Sequence, residues 1–371
     1  NGEKYVMQNA APTHKEALEF IIKQLTETDY KVVNSLDEIN AIGHRVVQGA
    51  EKYADPILVD DSVVSGILEV ADLAPVHNKA AAMGIEACRN LMPNKPNVAV
   101  FDNGFHKTIP EERYLYPIPY HYYREYKIRK YGFHGTSHYY VSHRVAELEN
   151  KPVEELKTIV CHIGQGASLC AVKGGKSVDT SMGLTPLAGI PMVTRSGDLD
   201  PSVVTFLMKK EGWTPEEAEN MLNKKSGVQG ISGLAPDFRE IEAASYGENE
   251  RAAIAIEKFK YEIASYVAKY AVAMNGVDYI VFTGGVGENQ SNIRKGICEK
   301  LGFMGVKIDN ELNQVRGEEK EITKGYAETW QEAIKHSQKR SDLTLSATNN
   351  IRKHVKSQKK RGRAVGSSSG S

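Results

Sequence analysis

From Asp278 to Asn289 the chain reads Asp-Tyr-Ile-Val-Phe-Thr-Gly-Gly-Val-Gly-Glu-Asn, an apolar run that breaks off into glycine. Such a run predicts a buried strand that ends in a turn, with a helix-forming segment from Gln290 onward. Strand, glycine turn and helix together bring bare backbone amides against an anion, a phosphate above all. A second turn of this kind lies upstream, His162-Ile163-Gly164-Gln165-Gly166-Ala167-Ser168. The stretches 158–161 and 169–172 read as two strands folded back around it. Two phosphate-type loops, two arginines in glycine-containing turns and a histidine-rich loop point to phosphoryl transfer.

Strands and helices are both read along the rest of the chain. At 371 residues, two domains are the natural expectation. Residues 14–27 space Ala17, Leu18, Ile21, Ile22 and Leu25 as one helix face. Residues 96–101 end in a short buried strand, and 110–131, rich in Tyr and Pro, read as an irregular connection. A helix is predicted from Ser137 to Asn150 with Ser137 as its N-cap. Pro201 and Pro215 mark helix starts within 201–225. A long helix spans 248–274, with Ile256, Phe259, Ile263, Tyr266 and Tyr270 on one face, and Asn275-Gly276 stops it.

Lys plus Arg equals Asp plus Glu, 47 each, a balance that argues against a nucleic-acid coat or a membrane-surface protein. No apolar run approaches the roughly 20 residues that cross a bilayer. No secretory leader is read at Asn1, and Cys88, Cys161, Cys170 and Cys298 lack metal spacing. They read as reduced thiols of a cytoplasmic protein, with Cys161 and Cys170 as small buried hydrophobes. Beyond Asp342 only basic residues are charged, and the chain ends Gly-Ser-Ser-Ser-Gly-Ser. That segment reads as a solvated tail, with nucleic acid or acidic lipid as the alternative contact.

Several residues carry chemistry. Arg45 in Gly43-His44-Arg45-Val46-Val47 and Arg195 in Thr194-Arg195-Ser196-Gly197-Asp198 offer guanidinium forks to carboxylate or phosphate oxygens. Read alone, such an arginine is more often a surface ion-pair partner; the glycine turns and other motifs beside these two favour the functional role. Asp102 closes the strand at 98–101, where a carboxylate holds Mg2+, steers an attacking group or caps a turn. His134 and His138 lie in Gly132-Phe133-His134-Gly135-Thr136-Ser137-His138, a loop that opens a helix. A histidine there donates to a migrating phosphoryl group; a zinc pair or a capping role are the alternatives. His162, Gly164, Gln165 and Gly166 form the second phosphate loop. Asp237 and Arg239 read either as nucleotide contacts or as an N-cap pair.

With these residues in place, the chain resembles the acetate kinase (acetokinase) family, part of the acetate and sugar kinase, heat-shock 70 and actin superfamily. The similarity runs from about Tyr5 to about Ile322 on GHRVV (43–47), APVHN (74–78), VAVFD (98–102), YGFHGTSH (131–138), VDTSMGLTPL (178–187), TRSGDLDP (194–201), SGVQGISG (226–233) and FTGGVGEN (282–289). The resemblance implies two ribonuclease H-like domains of the actin type flanking a cleft. It implies an incomplete N-terminal domain over 1–106, a nucleotide-binding domain over 107–323 and a divergent basic tail, disordered, over 324–371. It also implies reversible, Mg2+-dependent transfer of a phosphoryl group from ATP to acetate, in line and without a covalent intermediate. Arg45 and Arg195 would hold carboxylate and phosphoryl group, His134 would stabilise the transition state, and Asp102 matches the metal-linked carboxylate. Val47, Val76, Phe133 and Pro186 match the pocket around the acetate methyl. Gly285, Gly287, Glu288 and Asn289 match the adenosine side. A cytoplasmic homodimer, without membrane or nucleic-acid partners, is the expected form.

The chain also departs from the family pattern. The family's N-terminal Asn-Ala-Gly-Ser-Ser-Ser loop and C-terminal Pro-Thr-Asn-Glu-Glu segment have no counterpart, so the metal ligands they supply are unassigned. Gln48, Ala50, Asn103, Gly104, Gln165, Ala188 and Val193 replace the usual residues. Val193, where the family has Gly, is expected to crowd a backbone that passes phosphate. A catalytically impaired nucleotide-binding relative and a propionate or butyrate kinase are the alternatives. Val76, smaller than the usual Leu, leans toward propionate.

Overall fold

The computed structural model describes residues 13–324, together with Val6 and Ala11. Of the basic tail set off at 324, only Lys324 lies within the described residues. The chain divides at Gln290 into two compact units, and the first carries both sheets.

The first sheet contains β1 (Ile42–Val46), β2 (Ile57–Leu58) and β3 (Asn97–Phe101), in the order β1-β3-β2. β1 runs parallel to β3, and β2 runs antiparallel to it. Three helices accompany it: α1 (His14–Thr26), α2 (Asp61–Glu69) and α3 (Pro75–Leu91). α1 starts on a capping box in which Thr13 and Glu16 satisfy each other's amides. The core joins Val46, Ala99 and Phe101 of the strands to Val63, Val64 and Ile67 of α2 and Ile85 of α3. Tyr53 stacks on Phe101 at 5.1 Å between ring centroids. Each large side chain so buried contributes about 1.5–3 kcal/mol.

The connection at 110–131 is more ordered than its composition predicts. It holds two short helices, α4 (Glu111–Tyr114) and α5 (His121–Tyr126). Arg129 explains the order: its guanidinium lies 3.6 Å over the Tyr114 ring and bonds Glu51 at 3.2 Å, while Tyr123 donates to the same carboxylate at 2.9 Å. Next comes α6 (Gly135–Leu148), which starts two residues before the sequence places it. Its N-cap is His134, at φ 56°, and not Ser137. Ser137 instead spends its hydroxyl on His162 Nδ1, 2.8 Å away.

The second sheet contains β4 (Lys157–Ile163), β5 (Ala167–Lys173), β6 (Lys176–Thr180) and β7 (Tyr279–Thr283), in the order β6-β5-β4-β7. β4 and β5 form the antiparallel pair predicted around Gly164, and β7 adds parallel to β4. All residues from Ala167 to Val172 are buried, so both faces of the sheet are covered. Cys161 and Cys170 have no exposed surface, as expected for core thiols.

Helices α7 (Pro201–Glu211) and α8 (Pro215–Lys224) begin at the two prolines, capped by Asp200 and Thr214. α9 (Gly227–Ser232) and α10 (Phe238–Ser245) follow. α11 (Glu250–Met274) buries Ile256, Phe259, Ile263 and Tyr270 and closes on Asn275 in the left-handed region. After β7 the chain does not wait for Gln290 to turn helical: α12 (Gly284–Asn289) begins inside the glycine run. Gly284, at φ +80°, makes the turn, and Thr283 Oγ1 and the Gly284 amide both donate to Glu288 Oε1 at 2.9 and 3.1 Å. That local cap offsets the poor helix propensity of three glycines in six residues.

In the second unit, α13 (Ser291–Lys300) places the buried Arg294 against Asn313 Oδ1 and the Val315 carbonyl at 2.8 and 3.1 Å. A β-bridge joins Ile308 to Thr323.

Candidate active site

Both sheets put their chemistry at the same kind of place, the carboxyl ends of two parallel neighbours. In the first, the Asp102 amide extends the ladder by bonding the Val46 carbonyl at 2.9 Å. Arg45 and Asp102 therefore leave the sheet side by side. Arg45 Nε bonds both Asp102 oxygens at 2.9 and 3.1 Å, and Nη2 bonds Oδ2 at 2.6 Å. The Asp102 side chain is 4% exposed and that of Arg45 68% exposed, so a buried carboxylate aims an exposed fork.

The Asp102 carbonyl accepts from the Gly135 amide at 2.8 Å. A Cβ on Gly135 would stand 2.3 Å from that carbonyl oxygen, so only glycine lets α6 start against the end of β3. This contact delivers His134 to the second sheet, where its ring lies 4.3 Å from that of His162.

In the second sheet, His162 pairs with Thr283, so the Gly164–Gly166 turn and the Gly284 turn leave neighbouring strands together. A Cβ on Gly164 would lie 3.9 Å from the Gly285 amide nitrogen. One on Gly166 would lie 3.4 Å from Arg195 Nη1 and 3.7 Å from His134 Nε2. The two glycine loops, Arg195 and His134 thus share one small region.

Arg195 reaches it from a loop tied down by Asp198, which accepts from the Gly189 amide at 2.8 Å and from the Tyr266 hydroxyl. The guanidinium touches only weak partners, the Pro186 carbonyl at 3.3 Å and Met192 Sδ at 3.6 Å. No carboxylate pairs with it among the described residues, and burial pulls its pKa down. Arg45 is a neutralised cation; Arg195 is a partly desolvated cation without a counter-anion.

Burial, then the nearby His162, Arg45 and Arg195, pushes His134 down to about 3, so its imidazole is neutral at physiological pH. His162 is lowered by burial and by Arg45, against the opposing pull of Glu288 and Asp102. Ser168 Oγ sits 2.8 Å from both His134 Nδ1 and His138 Nε2.

The remaining predicted residues fall in different places. Phe133 is buried, and its carbonyl accepts from His106 Nε2 at 2.8 Å. Val47 is half-buried just after β1, and Pro186 touches Arg195 through its carbonyl. Val76 lies in the first turn of α3 with its side chain outside the described part, so its lean toward propionate gains no structural support. Gln165 is exposed at its turn. Gly285, Gly287, Glu288 and Asn289 all sit in α12, where Asn289 bonds back to the Gly285 carbonyl at 2.9 Å. Asp237 and Arg239 bond each other, and Asp237 caps α10, so the N-cap pair is the arrangement seen. Val193 is buried with an ordinary φ, so that position does not demand glycine for its backbone.

Two residues escaped the sequence reading. His77, in α3, is lowered by burial and then by Arg195 and Arg45, which places it in the field of both arginines. Its signal was its place in the quoted motif at 74–78. Ser168 closes the second loop, and its role shows only where its hydroxyl meets two rings. A shallow surface depression lined by Glu154, Lys157, Lys173 and Lys176 shares no residue with the site.

The arrangement is suited to an anion that carries several oxygens. It offers one guanidinium without a carboxylate partner among the described residues, one carboxylate-aimed guanidinium, neutral histidines and glycine-turn amides. The model of the acetokinase family matches residues 1–335. The chain belongs to the acetokinase family. That match extends past Ile322, where the motif resemblance ends. An acetate kinase of Lachnoclostridium phytofermentans is 55% identical over 319 residues, 86% of this chain and 81% of that protein. An acetate kinase of Thermotoga maritima is 54% identical over 320 residues, 85% of this chain and 79% of that protein. The crystal structure of Porphyromonas gingivalis acetate kinase matches with a TM-score of 0.84 at 44% identity, covering 88% of this chain and 82% of that one. A propionate kinase structure from Francisella tularensis matches with a TM-score of 0.79 at 42% identity, covering 84% and 79%. The α/β, actin-type ATPase fold implied by the motifs is the fold of these acetokinase structures.

Proposed function

We propose that this protein catalyses reversible, ATP-dependent phosphorylation of acetate to acetyl phosphate by direct in-line transfer. The observation that carries the reading is Arg195: a partly buried guanidinium without a carboxylate partner among the described residues, beside Gly166 and His134 Nε2. Such a cation is matched by a group that arrives with negative charge, as a transferring phosphoryl group does. Family membership and relatives above 50% identity named acetate kinase support acetate as the acceptor.

Each residue then has a role. Arg195 and the Gln165 and Gly166 amides neutralise the equatorial oxygens as charge spreads over them, while the Gly164 amide closes the turn on the Gly166 carbonyl. His134 donates a hydrogen bond to the same group. Asp102 holds Arg45 so that its free edge receives the acetate carboxylate, and Val47, Val76, Phe133 and Pro186 bound the methyl group. ATP lies along Gly285, Gly287, Glu288 and Asn289, with Asp237 and Arg239 at the edge.

Among the described residues no cluster of three or more His, Cys, Asp or Glu could cage a metal. Mg2+ that arrives on nucleotide phosphates needs only one or two protein carboxylates, and Asp102 is the buried carboxylate at the site. Bound there, Mg2+ would neutralise developing phosphate charge. We also take the working form to be a cytoplasmic homodimer. Exposed Val203 and Phe206, one turn apart on α7, support self-association. Among the described residues no helix is long and apolar enough to cross a membrane.

The test is acetyl phosphate formation by purified protein from ATP and acetate, with propionate and butyrate as competitors. Acetate should be the preferred acceptor. Folded protein that forms no acyl phosphate would overturn the reading, and a clear preference for propionate would move it to the Francisella protein's named activity.

A further inference from the structure

We infer that Ser168 and His138 are positioning residues that fix the tautomer of His134, so that its Nε2 carries a proton into the site. The inference rests on the reading of His134 as a donor to the transferring group. His134 Nδ1 and His138 Nε2 each lie 2.8 Å from Ser168 Oγ. His138 and Ser168 have no exposed surface. Both rings are neutral: burial takes His134 down to about 3 and His138 well below its ordinary value.

One hydroxyl between two neutral imidazoles has a single proton to give. With no third partner for it among the described residues, the hydroxyl donates to one ring and accepts from the other. Two directions are possible. In the first, His138 Nε2–H donates to Ser168, and Ser168 donates to His134 Nδ1. In the second, His134 Nδ1–H donates to Ser168, and Ser168 donates to His138 Nε2.

His138 Nδ1 decides between them. It is buried and has no hydrogen-bond partner among the described residues. In the second direction that atom carries a stranded N–H. In the first it carries only an unused lone pair. Orphaned buried donors are the rarer and costlier case. The first direction therefore holds, and His134 keeps its proton on Nε2. That nitrogen is the one 3.7 Å from the Cβ position of Gly166, where Arg195 Nη1 also points. The opposite tautomer would aim a lone pair at phosphoryl oxygens.

His106 shows the same logic with a fixed answer. Its Nε2 meets the Phe133 carbonyl, which can only accept, so Nδ1 accepts from Ser177 Oγ at 2.8 Å. Each buried ring in this cluster is thus held by a hydroxyl on β5 or β6 in one tautomer, which suits a group that must donate and not titrate.

The direct test is long-range 1H–15N NMR of the intact protein with labelled histidine, the His134 signals being those lost in His134→Gln. Expected between pH 6 and 8 is a protonated Nε2 and a bare Nδ1; a protonated Nδ1, or a charged ring, overturns the proposal. Ser168→Ala should lower kcat about 10–100-fold with the KM for ATP nearly unchanged, the usual scale for a group that orients a site residue. Unchanged kcat in a folded Ser168→Ala protein also overturns it. His138→Gln, which keeps an N–H near the Nε2 position, should lose less turnover than His138→Leu; equal losses count against the relay. The spectra need no turnover, so an inactive wild type with the predicted tautomer refutes the proposed activity, whereas an active one with the opposite tautomer refutes only the relay.

Discussion

Arg195→Ala separates a role in the reaction from a role in the fold. In the protein this guanidinium makes one long hydrogen bond to the Pro186 carbonyl, 3.3 Å, and one contact to Met192 Sδ, 3.6 Å. Neither is a strong bond, and a typical one contributes about 1 kcal/mol net. No ion pair is lost, because no carboxylate pairs with it among the described residues, and removing a partly desolvated charge returns some stability. The net change should stay within about 1 kcal/mol, or only a few degrees in Tm for a chain of this size. The catalytic cost is of another order. An arginine that neutralises a transferring phosphoryl group is worth about 10³–10⁵ in rate, or roughly 4–7 kcal/mol of transition-state stabilisation. The assay is acetyl phosphate trapped as its hydroxamate under saturating ATP and acetate, beside a thermal melt of the same preparation. Turnover should fall by about three orders of magnitude or more with an almost unmoved melt. Arg195→Lys should recover little, since an ammonium cannot present a fork. Turnover within tenfold of wild type would refute the assignment, and so would a collapse of the melt that accounts for the lost activity.

Three further outcomes are expected. Arg45→Ala leaves the buried Asp102 carboxylate without its bidentate partner and should lower stability by about 1–3 kcal/mol; the double variant with Asp102→Ala should regain much of that in denaturant melts, and strict additivity would contradict a buried pair. His134 and His106 are pushed down to about 3 and about 4, mainly by burial, from an unfolded value near 6.5. The unfolded chain then binds more protons between those values, so stability should be full above about pH 6.5 and decline as pH falls toward 3; a flat denaturation profile across that window would show that these rings are not held neutral. Gly135→Ala forces a Cβ to within 2.3 Å of the Asp102 carbonyl oxygen and should cost about 1–3 kcal/mol while displacing His134; wild-type kcat and melt together would remove the close approach from the account.

Much of the fold was legible because its signals are local. Pro201 and Pro215 start helices where their missing N–H costs nothing, and Asn275 stops α11 by adopting the left-handed region. The apolar stretches around Gly164 become β4 and β5 because burial on both faces rewards unbroken hydrophobic sequence. What was misread depends on partners far along the chain. Ser137 is a sound N-cap by type, yet His162, 25 residues away, takes its hydroxyl. Residues 110–131 look irregular until Arg129 and Glu51 are known to meet. Asp237 and Arg239 were readable either as a cap pair or as ligands, and two-residue spacing lets them close on each other.

The site shows the same division. Motifs named Arg45, Asp102, His134 and Arg195, but sequence spacing could not reveal that Arg45 and Asp102 bond across 57 residues, or that Arg195 has no carboxylate partner among the described residues. Ser168 was invisible as a functional residue because its role exists only between two rings, 34 and 30 residues away. His77 needed the fold to bring α3 toward both arginines.

The central claim is that Arg195, His134 Nε2 and the Gly164–Gly166 turn surround one phosphoryl position. A crystal structure of the protein with ADP, acetate and a planar metal-fluoride mimic of the transferring group tests it most directly. The mimic should lie within hydrogen-bond reach of Arg195, His134 Nε2 and the Gln165 and Gly166 amides, with acetate on the side of Arg45. A mimic bound elsewhere, with Arg195 and His134 contacting neither it nor ADP, would contradict the account.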